Sequence, residues 1–285
     1  MAHLLPRDSL SSTASATAKV AAGNQTSYSQ SVNGSGTAVR AYVVRVGIDQ
    51  AFGKWNAPID PGTCDFVYVP IPEKAGTAFQ SGMATDYTPF RFALEVFAAA
   101  HPNARPGICT PPEALNGLNP HLDPDFDRLT YGDNGLRRGK ALCDLGAGDL
   151  VVFFAGMRPI QRSPHKLIYG IIGLYRVAEA VRLRDIPPSR WAENAHTRKI
   201  RQGPDDIIIR AQPFVSGRLK RSIPIGEFRD NAYRVRRNLL TTWGGLSCRD
   251  GYIQRSAVLP SLLDPQRFND WFEQQGGELV SSNNP

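Results

Sequence analysis

Several features that would narrow the functional class at once are missing from this sequence of 285 residues. Its four cysteines, at positions 64, 109, 143 and 248, lie far apart and form no CxxC pair. That spacing fits neither a zinc site nor a small disulfide-bridged secreted scaffold, so we expect reduced thiols in a cytoplasmic protein. No apolar run reaches the roughly 18 residues of a membrane-spanning helix, and the first residues contain too short an apolar stretch for a secretory signal. The sequence therefore predicts no membrane partner.

The common catalytic motifs are missing too. There is no P-loop, no GxGxxG after a strand, no HExxH and no GxSxG. P-loop nucleotide hydrolysis, dinucleotide redox chemistry and serine hydrolysis therefore lose support.

Positive charge is present in excess and is concentrated in the second half of the chain. The formal net charge is +7. Residues 158–255 contain 20 Lys and Arg against 8 Asp and Glu, whereas the rest of the chain contains 13 against 18. A polarised charge distribution creates a field that attracts a polyanion, and arginine, which dominates the excess, suits bidentate contact with phosphate. The alternative is a solvated charged face without a partner.

The composition divides the chain into three segments. Residues 1–38 are rich in Ser, Thr, Ala, Gly and Asn, so they cannot bury enough apolar surface to fold and predict a disordered tail. Residues 39–275 carry the apolar segments of one folded domain. Residues 276–285 are predicted to form a flexible C-terminus.

Within the domain, short segments rich in β-branched residues predict strands, and apolar residues at helical spacing predict helices. The predicted strands are 41–48, 65–71, 149–155, 166–177, 207–210, 214–215 and 234–240. The predicted helices are 87–100, 187–196 and 265–275, with a helical turn at 140–145 and a long irregular stretch at 101–139. These elements predict an α+β fold built on a curved, mainly antiparallel sheet or partial barrel with flanking helices.

Two apolar segments at the centre of the chain read GDLVVFFAGMRP and KLIYGIIGLYRV. A Gly-Asp turn opens the first, and Gly170 and Gly173 lie inside the second, where glycine marks a bulge or a close backbone approach. The pair resembles the central hairpin of PUA-like folds, a group that includes the EVE and ASCH domains. The resemblance implies a PUA-like portion at about residues 145–260 and binding of RNA or of flipped, modified bases.

A longer series of motifs covers about residues 40–260. In order along the chain these are VVRVGIDQAFGKWNAPID, FVYVPIPE, HLDPDFDRLTYGD, RRGKAL, LGAGDLVVFFAG and NAH at 194–196. Together they resemble the family called nucleotide modification associated domain, third type, and the ordered set is more specific than any one motif. The resemblance implies a setting of modified bases and phage-linked or defence-linked DNA chemistry, without implying a reaction.

Polar residues beside two apolar segments predict a base-binding pocket. Asp49 follows the first predicted strand and Asp133 lies in the turn 130–133, so each carboxylate can accept a base N–H. Tyr131 and Trp55 supply rings for stacking, although core packing is the alternative for Trp55. Because a scaffold usually displays its working residues on such polar interruptions, we expect the two segments to meet at one concave site.

One imidazole and three carboxylates lie close together in the sequence, at His121, Asp123, Asp125 and Asp133. They could bind a divalent cation or act as general acid and base. The alternative, which we favour over a metal, is an Asp-rich turn whose side chains cap their own backbone before Pro124 and Gly132. We therefore expect no metal ion and no cofactor. For a catalysed reaction, the candidate residues are His121, Asp133 and His196.

Five basic residues in two clusters are predicted to contact phosphate: Arg137, Arg138, Arg198, Lys199 and Arg201. In the first cluster, Gly139 allows close backbone approach beside two guanidiniums, although a charged turn without a ligand is the alternative. The second cluster follows the NAH motif, whose His196 is either part of the site or a structural histidine.

The sequence thus favours a protein that recognises nucleic acid or a modified base in a DNA-modification or defence setting. DNA and RNA are equally open at this point. One alternative is an enzyme that acts on a nucleobase or nucleotide through its His and Asp residues, and another is an interaction subunit of a defence complex. Stoichiometric binding of a divalent metal would favour the enzyme, and salt-sensitive binding without turnover would favour recognition.

Overall fold

The structure, a computed structural model, describes residues 38–136, 138–254 and 258–285. The predicted tail lies outside the described residues apart from Ala38, and Arg137 lies outside them too. The chain from Ala38 to Pro285 forms one unit. No helix in the described part of the chain is long and apolar enough to cross a membrane.

The regular elements follow the α+β pattern that the sequence predicts. The strands are β1 (Ala41–Arg45), β2 (Pro58–Ile59), β3 (Ile71–Pro72), β4 (Pro120–His121), β5 (Thr130–Asp133), β6 (Leu150–Pro159), β7 (Ile168–Arg182), β8 (Ile207–Ala211), β9 (Gly217–Pro224), β10 (Gly226–Arg229), β11 (Ala232–Val235) and β12 (Leu279–Val280). The α-helices are α1 (Thr88–Ala100), α2 (Arg237–Thr242) and α3 (Pro265–Gln274). Short 3₁₀ helices cover Glu113–Leu115, Arg138–Asp144, Leu183–Asp185, Pro188–Glu193 and Arg249–Gly251.

Eight of these strands form one open, mixed sheet, with the path β1-β6-β7-β8-β5 at its centre. The hairpin of β6 and β7 is antiparallel, and β7 is long enough to pair with β9 near its start and with β8 near its end. β1 and β2 run parallel to β6, whereas the other pairs in this sheet are antiparallel. The predicted α+β class is confirmed.

The glycines inside β7 lie where the backbone is crowded. The ladder between β6 and β7 shifts register opposite Phe153 and Phe154, next to Gly173. A Cβ at Gly173 would lie 2.6 Å from the Phe126 ring, and one at Gly170 would collide with the Ser222 hydroxyl. The prediction of a bulge and a close approach in this strand is confirmed.

The sheet has apolar cores on both faces. Val151 and Phe153 of β6 belong to one buried cluster with α1, and Val152 and Phe154 belong to the other with α2 and α3. Because successive strand residues point to opposite faces, a strand covered on both sides reads as a continuous apolar run. This is why the sequence indicated β6 and β7 so clearly.

Some predicted strands take another form. Residues 65–71 contain only isolated bridges and the first residue of β3. The backbone N–H and carbonyl of Tyr68 pair with the Asn284 side chain rather than with a strand. Phe214 and Val215 form a turn, in which Phe214 has φ +68° and is fully exposed. The predicted strand at 234–240 divides into the end of β11 and the start of α2.

The long irregular stretch also holds more structure than predicted. Thr130–Asp133 forms β5 rather than a turn, because it pairs with β8 so that Tyr131 lies opposite Ile209.

The helix predicted at 187–196 is a 3₁₀ helix, Pro188–Glu193. The helices at α1 and α3 lie where the sequence predicts them, and Phe268, Trp271 and Phe272 of α3 are buried.

The C-terminal segment, predicted to be flexible, packs on the domain. β12 pairs with β9, and the Ser282 carbonyl accepts a hydrogen bond from the buried Arg218 guanidinium at 3.0 Å. Asn283 accepts a hydrogen bond from the Phe126 N–H and donates to the Asp125 carboxylate. These contacts make residues 276–285 part of the folded unit rather than a free end.

Candidate functional site

A cavity of about 790 Å³ opens beside the C-terminal end of β1. The loop that follows β1 forms one wall, and β4, β5 and the segment around His196 form another. Its polar lining consists of Arg45, Asp49, His121, Asp123, Asp133, Asn134, Arg138, His196 and Gln254. Its apolar lining includes Val43, Phe52, Ile71, Phe154 and Leu259. The cavity therefore combines apolar walls with convergent polar groups, as ligand sites usually do.

Motifs from two distant parts of the chain meet at this cavity. HLDPDF and TYGD, which are separated by only three residues, supply His121, Asp123 and Gly132, and NAH supplies His196. The pairing of β5 with β8 brings TYGD beside Asp206, which directly precedes β8. Folding thus joins the motifs that the sequence alone could only put in order.

The two histidines face the same carboxylate oxygen. His121 Nε2 lies 3.5 Å from Asp123 Oδ2, and His196 Nε2 lies 3.2 Å from the same atom. One ligand atom from each of the three residues lies within 4.8 Å of the others. The two imidazole rings are 5.0 Å apart between centroids.

A second carboxylate holds each histidine from behind. His121 Nδ1 hydrogen-bonds Glu73 Oε1 at 2.7 Å, and His196 Nδ1 hydrogen-bonds Asp206 Oδ2 at 2.5 Å. Burial lowers the pKa of His196, but its contacts with Asp123 and Asp206 outweigh that effect and raise the pKa to about 9. Burial raises the pKa of Glu73, but the hydrogen bond from His121 and the contact with Lys199 lower it overall.

Asp123 is fixed through one oxygen only. Oδ1 accepts hydrogen bonds from the Gly132 N–H at 2.6 Å and from Asn194 Nδ2 at 3.2 Å. Oδ2 is buried and has no hydrogen-bond donor in the described part of the chain, although the Nε2 atoms of both histidines lie within 3.5 Å of it. Asn194 also accepts from the His196 N–H at 2.9 Å. One buried amide therefore positions both the carboxylate and the histidine.

Gly132 leaves the room that this group needs. A Cβ at this position would lie 2.6 Å from His196 Cδ2 and 3.1 Å from Asp123 Oδ2. Any side chain at position 132 would therefore displace the histidine or the carboxylate, which gives the glycine of TYGD a steric reason.

The structure brings three of the four predicted base-binding residues to the cavity. Asp49, Tyr131 and Asp133 all line it, although they come from distant segments. Asp49 is held by the backbone N–H groups of Ala51 and Phe52, and it forms an ion pair with Arg45 at 2.8 Å. Its carboxylate thus caps the turn after β1.

Tyr131 positions Asp133 rather than presenting its ring. It is 4% exposed, its ring packs on Phe153, and its hydroxyl donates to Asp133 Oδ2 at 2.8 Å. Burial, together with the neighbouring Asp133 carboxylate, raises the pKa of Tyr131 well above its usual value. Asp133 itself lines the cavity, with 17% of its side chain exposed.

Trp55 does not line the cavity. It is 6% exposed and belongs to the core cluster that also contains Phe153, so core packing accounts for it. The exposed ring at the cavity is Phe52, at 58% exposure, which was not among the residues predicted from the sequence. The motif QAFGKW contains this ring three residues before Trp55, but nothing in the local sequence indicates which of the two is exposed.

The predicted phosphate residues separate in the structure. Arg138 lines the cavity, with its guanidinium only 3.9 Å from Asp133 and partly exposed. Arg198 is 6% exposed and forms an ion pair with Asp125 at 2.7 Å, so it is committed to the interior. Lys199 contacts Glu73 at 3.0 Å, and Arg201 is exposed. The cluster at 198–201 is therefore not a set of three free cations.

A second concave surface, the basic groove, lies on the other side of the loop that follows β1. It is lined by Gln50, Asn56, Arg105, Arg158, Arg162, Ser163, Pro164, His165, Lys166 and Leu167. No acidic residue is among these, and Arg158, Arg162 and Lys166 are exposed. The loop between β6 and β7 is basic in sequence, but nothing in the sequence indicates that it faces Gln50 and Asn56.

The model of one protein family, nucleotide modification associated domain 3, matches residues 40–245. The chain belongs to this family. The match contains His121, Asp123, Gly132 and His196, so the whole His-Asp-His group lies within the domain that defines the family. No curated protein and no solved structure matched the chain.

Membership of the nucleotide modification associated domain 3 family places the chain in a nucleotide-modification setting. The cavity wall around Gln254 and Leu259, α3 and the C-terminal segment lie beyond the matched residues. The part of the cavity that includes Asp49, Asp133 and His196 lies inside them.

Proposed function

We propose that this protein recognises DNA by binding one base, in particular a modified base, in the cavity while the basic groove holds the phosphate backbone. The observation that carries the proposal is the juxtaposition of the two surfaces across one short loop. Asp49, Ala51 and Phe52 line the cavity, and Gln50 and Asn56 line the basic groove.

The size and lining of the cavity support this proposal. A cavity of about 790 Å³ lies within the roughly 300–1,000 Å³ of small-molecule sites, so it has room for a base and its sugar. Phe52 offers an exposed ring on which a base can stack. Asp133 accepts from Tyr131 and from the Asn134 N–H, and its carboxylate oxygens have further lone pairs for a base N–H.

The loop between the two surfaces is held in place from both sides. Gln50 Nε2 donates to Asn56 Oδ1 at 3.1 Å, and Asn56 Nδ2 donates to the Gly156 carbonyl at 2.7 Å. The loop is thus fixed to β6, which contains Arg158 and is followed by Arg162. If the phosphates of a DNA strand follow the basic groove, one nucleotide must turn over this loop for its base to reach the cavity. Base-flipping proteins rotate a nucleotide out of the stack in the same way.

The PUA-like prediction for the central hairpin belongs to the same proposal. The bulge beside Gly173 supports it, since bulges bend strands and are common at the rims of barrels. The β6–β7 hairpin would then carry the basic loop as part of a nucleic-acid surface.

Salt dependence of DNA binding tests the basic groove. Replacing Arg158, Arg162 and Lys166 with Ala should weaken binding to single-stranded DNA and reduce the salt slope by about 0.7 for each phosphate that is no longer neutralised. The matched control replaces Lys220, Arg221 and Arg237 with Ala, which removes the same charge from residues that do not line the groove. Fluorescence anisotropy over a series of salt concentrations measures both.

The two triple variants separate a site from bulk charge. Equal losses of affinity in both would mean that net charge, and not the groove, accounts for the affinity. If an RNA of the same sequence binds more tightly and depends on the groove in the same way, the ligand of this protein is RNA rather than DNA. Binding that is insensitive to salt would contradict the proposal.

A second function, an enzyme that acts on the base, is favoured by one specific observation. His121, Asp123 and His196 line the same cavity that would hold the base.

A further inference from the structure

We propose that His121, Asp123 and His196 bind one divalent transition-metal ion in the cavity, through Nε2 of each histidine and Oδ2 of the aspartate. The sequence favoured an Asp-rich turn over a metal, so this is a change of expectation brought about by the geometry. The inference deepens the proposed function and rests on it in one respect, because it places an ion where the base would bind.

The separations of the three atoms suit a shared ion. Ligands about 2.1 Å from one metal and at right angles to each other lie roughly 3 Å apart. The two histidine Nε2 atoms lie 3.5 and 3.2 Å from Asp123 Oδ2, and all three ligand atoms fall within 4.8 Å. Small rotations of the two rings would bring them to coordination distance.

The surroundings are those of metal ligands. A metal-bound histidine usually gives its other ring N–H to a carboxylate, which fixes the tautomer and aims the free nitrogen. Here both histidines do so, to Glu73 and to Asp206. Two independent carboxylate–histidine pairs thus direct their Nε2 atoms at one carboxylate oxygen.

The aspartate oxygen supplies a separate observation. Asp123 is 8% exposed, and its Oδ2 is buried without a hydrogen-bond donor among the described residues. A buried carboxylate oxygen without a hydrogen-bond donor is costly, so such an atom usually has a further partner. Both histidine Nε2 atoms lie within 3.5 Å of this oxygen, so an ion placed between the three atoms would give it a partner.

The donor set indicates the class of ion. Two imidazoles and one carboxylate suit Zn²⁺, Fe²⁺, Mn²⁺ or Co²⁺, whereas Mg²⁺ and Ca²⁺ prefer oxygen ligands alone. Two histidines and one carboxylate are also the set that leaves coordination positions open to a substrate. The open positions would face the cavity, since all three residues line it.

Direct metal titration tests the inference without any assay of activity. The full chain, freed of metal by dialysis against a chelator, is titrated with Co²⁺ while its visible absorption is recorded, and with Zn²⁺ by calorimetry. One equivalent should bind. His121→Ala and His196→Ala should each weaken binding at least tenfold, and Glu73→Gln should weaken it by about 10–100-fold through the hydrogen bond to His121.

His101→Ala is the matched control. The His101 side chain has the same 15% exposure as that of His121, and its Nε2 also faces carboxylates, at 3.4 Å from Asp60 and 3.8 Å from Asp65. It lies outside the group, so this variant should bind Co²⁺ like the wild type. Glu73→Gln keeps both ligand histidines, so it remains informative where an alanine variant fails to fold, as circular dichroism would reveal.

The outcomes are separable from those of the proposed function. No stoichiometric binding by the wild type, or equally weakened binding in the His101 and His121 variants, would overturn the metal site. DNA binding by the metal-free protein is measured in parallel. DNA binding without metal binding would overturn the metal site and leave the proposed function standing. Metal binding without DNA binding would support the metal site and contradict the proposed function.

Discussion

Phe52 is the residue whose substitution tests base recognition most directly. It is a large apolar ring at 58% exposure on the cavity wall, and its own turn is capped by Asp49. A base that enters the cavity can therefore stack on a ring whose backbone is already held in place, which lowers the entropy cost of binding.

Phe52→Ala should weaken binding of a single-stranded oligonucleotide by about 1–3 kcal/mol, or roughly 5- to 150-fold, because the stacking platform is removed. The salt slope should stay the same because no phosphate contact changes. Phe214→Ala removes an exposed ring from a turn outside the cavity and is the control. If both variants bind like the wild type, Phe52 is not a stacking platform.

Arg198 shows why sequence patterns misplace single residues. In the sequence it is one of three nearby cations after the NAH motif, and a basic cluster indicates phosphate binding. In the structure its Nε donates to the Ala192 carbonyl and its NH2 group binds Asp125, both in the interior. Nothing in the local sequence distinguishes a buried ion-paired arginine from a solvated one, since the partner is 73 residues away.

Arg198→Ala should reduce the free energy of unfolding by about 3–5 kcal/mol, because it leaves the buried Asp125 carboxylate without its cation. Urea denaturation followed by fluorescence measures this. Arg201→Ala, at an exposed position, should stay within about 0.5 kcal/mol of the wild type. A fully stable Arg198 variant with a reduced salt slope for DNA would restore its role as a phosphate contact.

At the scale of elements, apolar pattern predicted the central strands and two helices well. β6, β7, α1 and α3 have long apolar faces, and their pattern directly reflects burial. The sequence could not predict β5, because TYGD is strand only through its pairing with β8, more than 70 positions later. It also could not predict that the polar end SSNNP would pack, since that depends on buried partners elsewhere.

The C-terminal segment should contribute measurably to stability. Asn283 is 8% exposed, accepts from the Phe126 N–H and donates to Asp125 and Asp127. Asn283→Ala leaves a buried N–H without an acceptor, so it should cost about 2–4 kcal/mol and lower Tm by several degrees in a thermal melt. Ser281→Ala, at an exposed position, is the control. An unchanged Tm would mean that the segment contributes little to the fold.

At the scale of the whole molecule, the basic excess of residues 158–255 serves two purposes. Arg198, Arg210 and Arg218 lie in ion pairs or in the interior, where they stabilise the fold. Arg158, Arg162 and Lys166 are exposed in the basic groove beside the cavity. The charge count of the sequence therefore overstates the size of a polyanion surface, and only the fold shows where that surface can be.

Contacts between residues far apart in the chain explain why the site was only partly predicted. The sequence placed Asp49 and Asp133 correctly beside apolar elements, and His121 and His196 as candidates for chemistry. It could not show that Glu73 and Asp206 stand behind those histidines, because each pair is joined only by folding. Long-range pairing, and not residue type, carries that information.

A crystal structure of the full chain with a short single-stranded DNA tests the central claim most directly. We expect one base inside the cavity, in van der Waals contact with the Phe52 ring at about 4 Å. We also expect phosphates in the basic groove, against Arg158, Arg162 or Lys166. DNA bound across another face, with no base in the cavity, would contradict the claim.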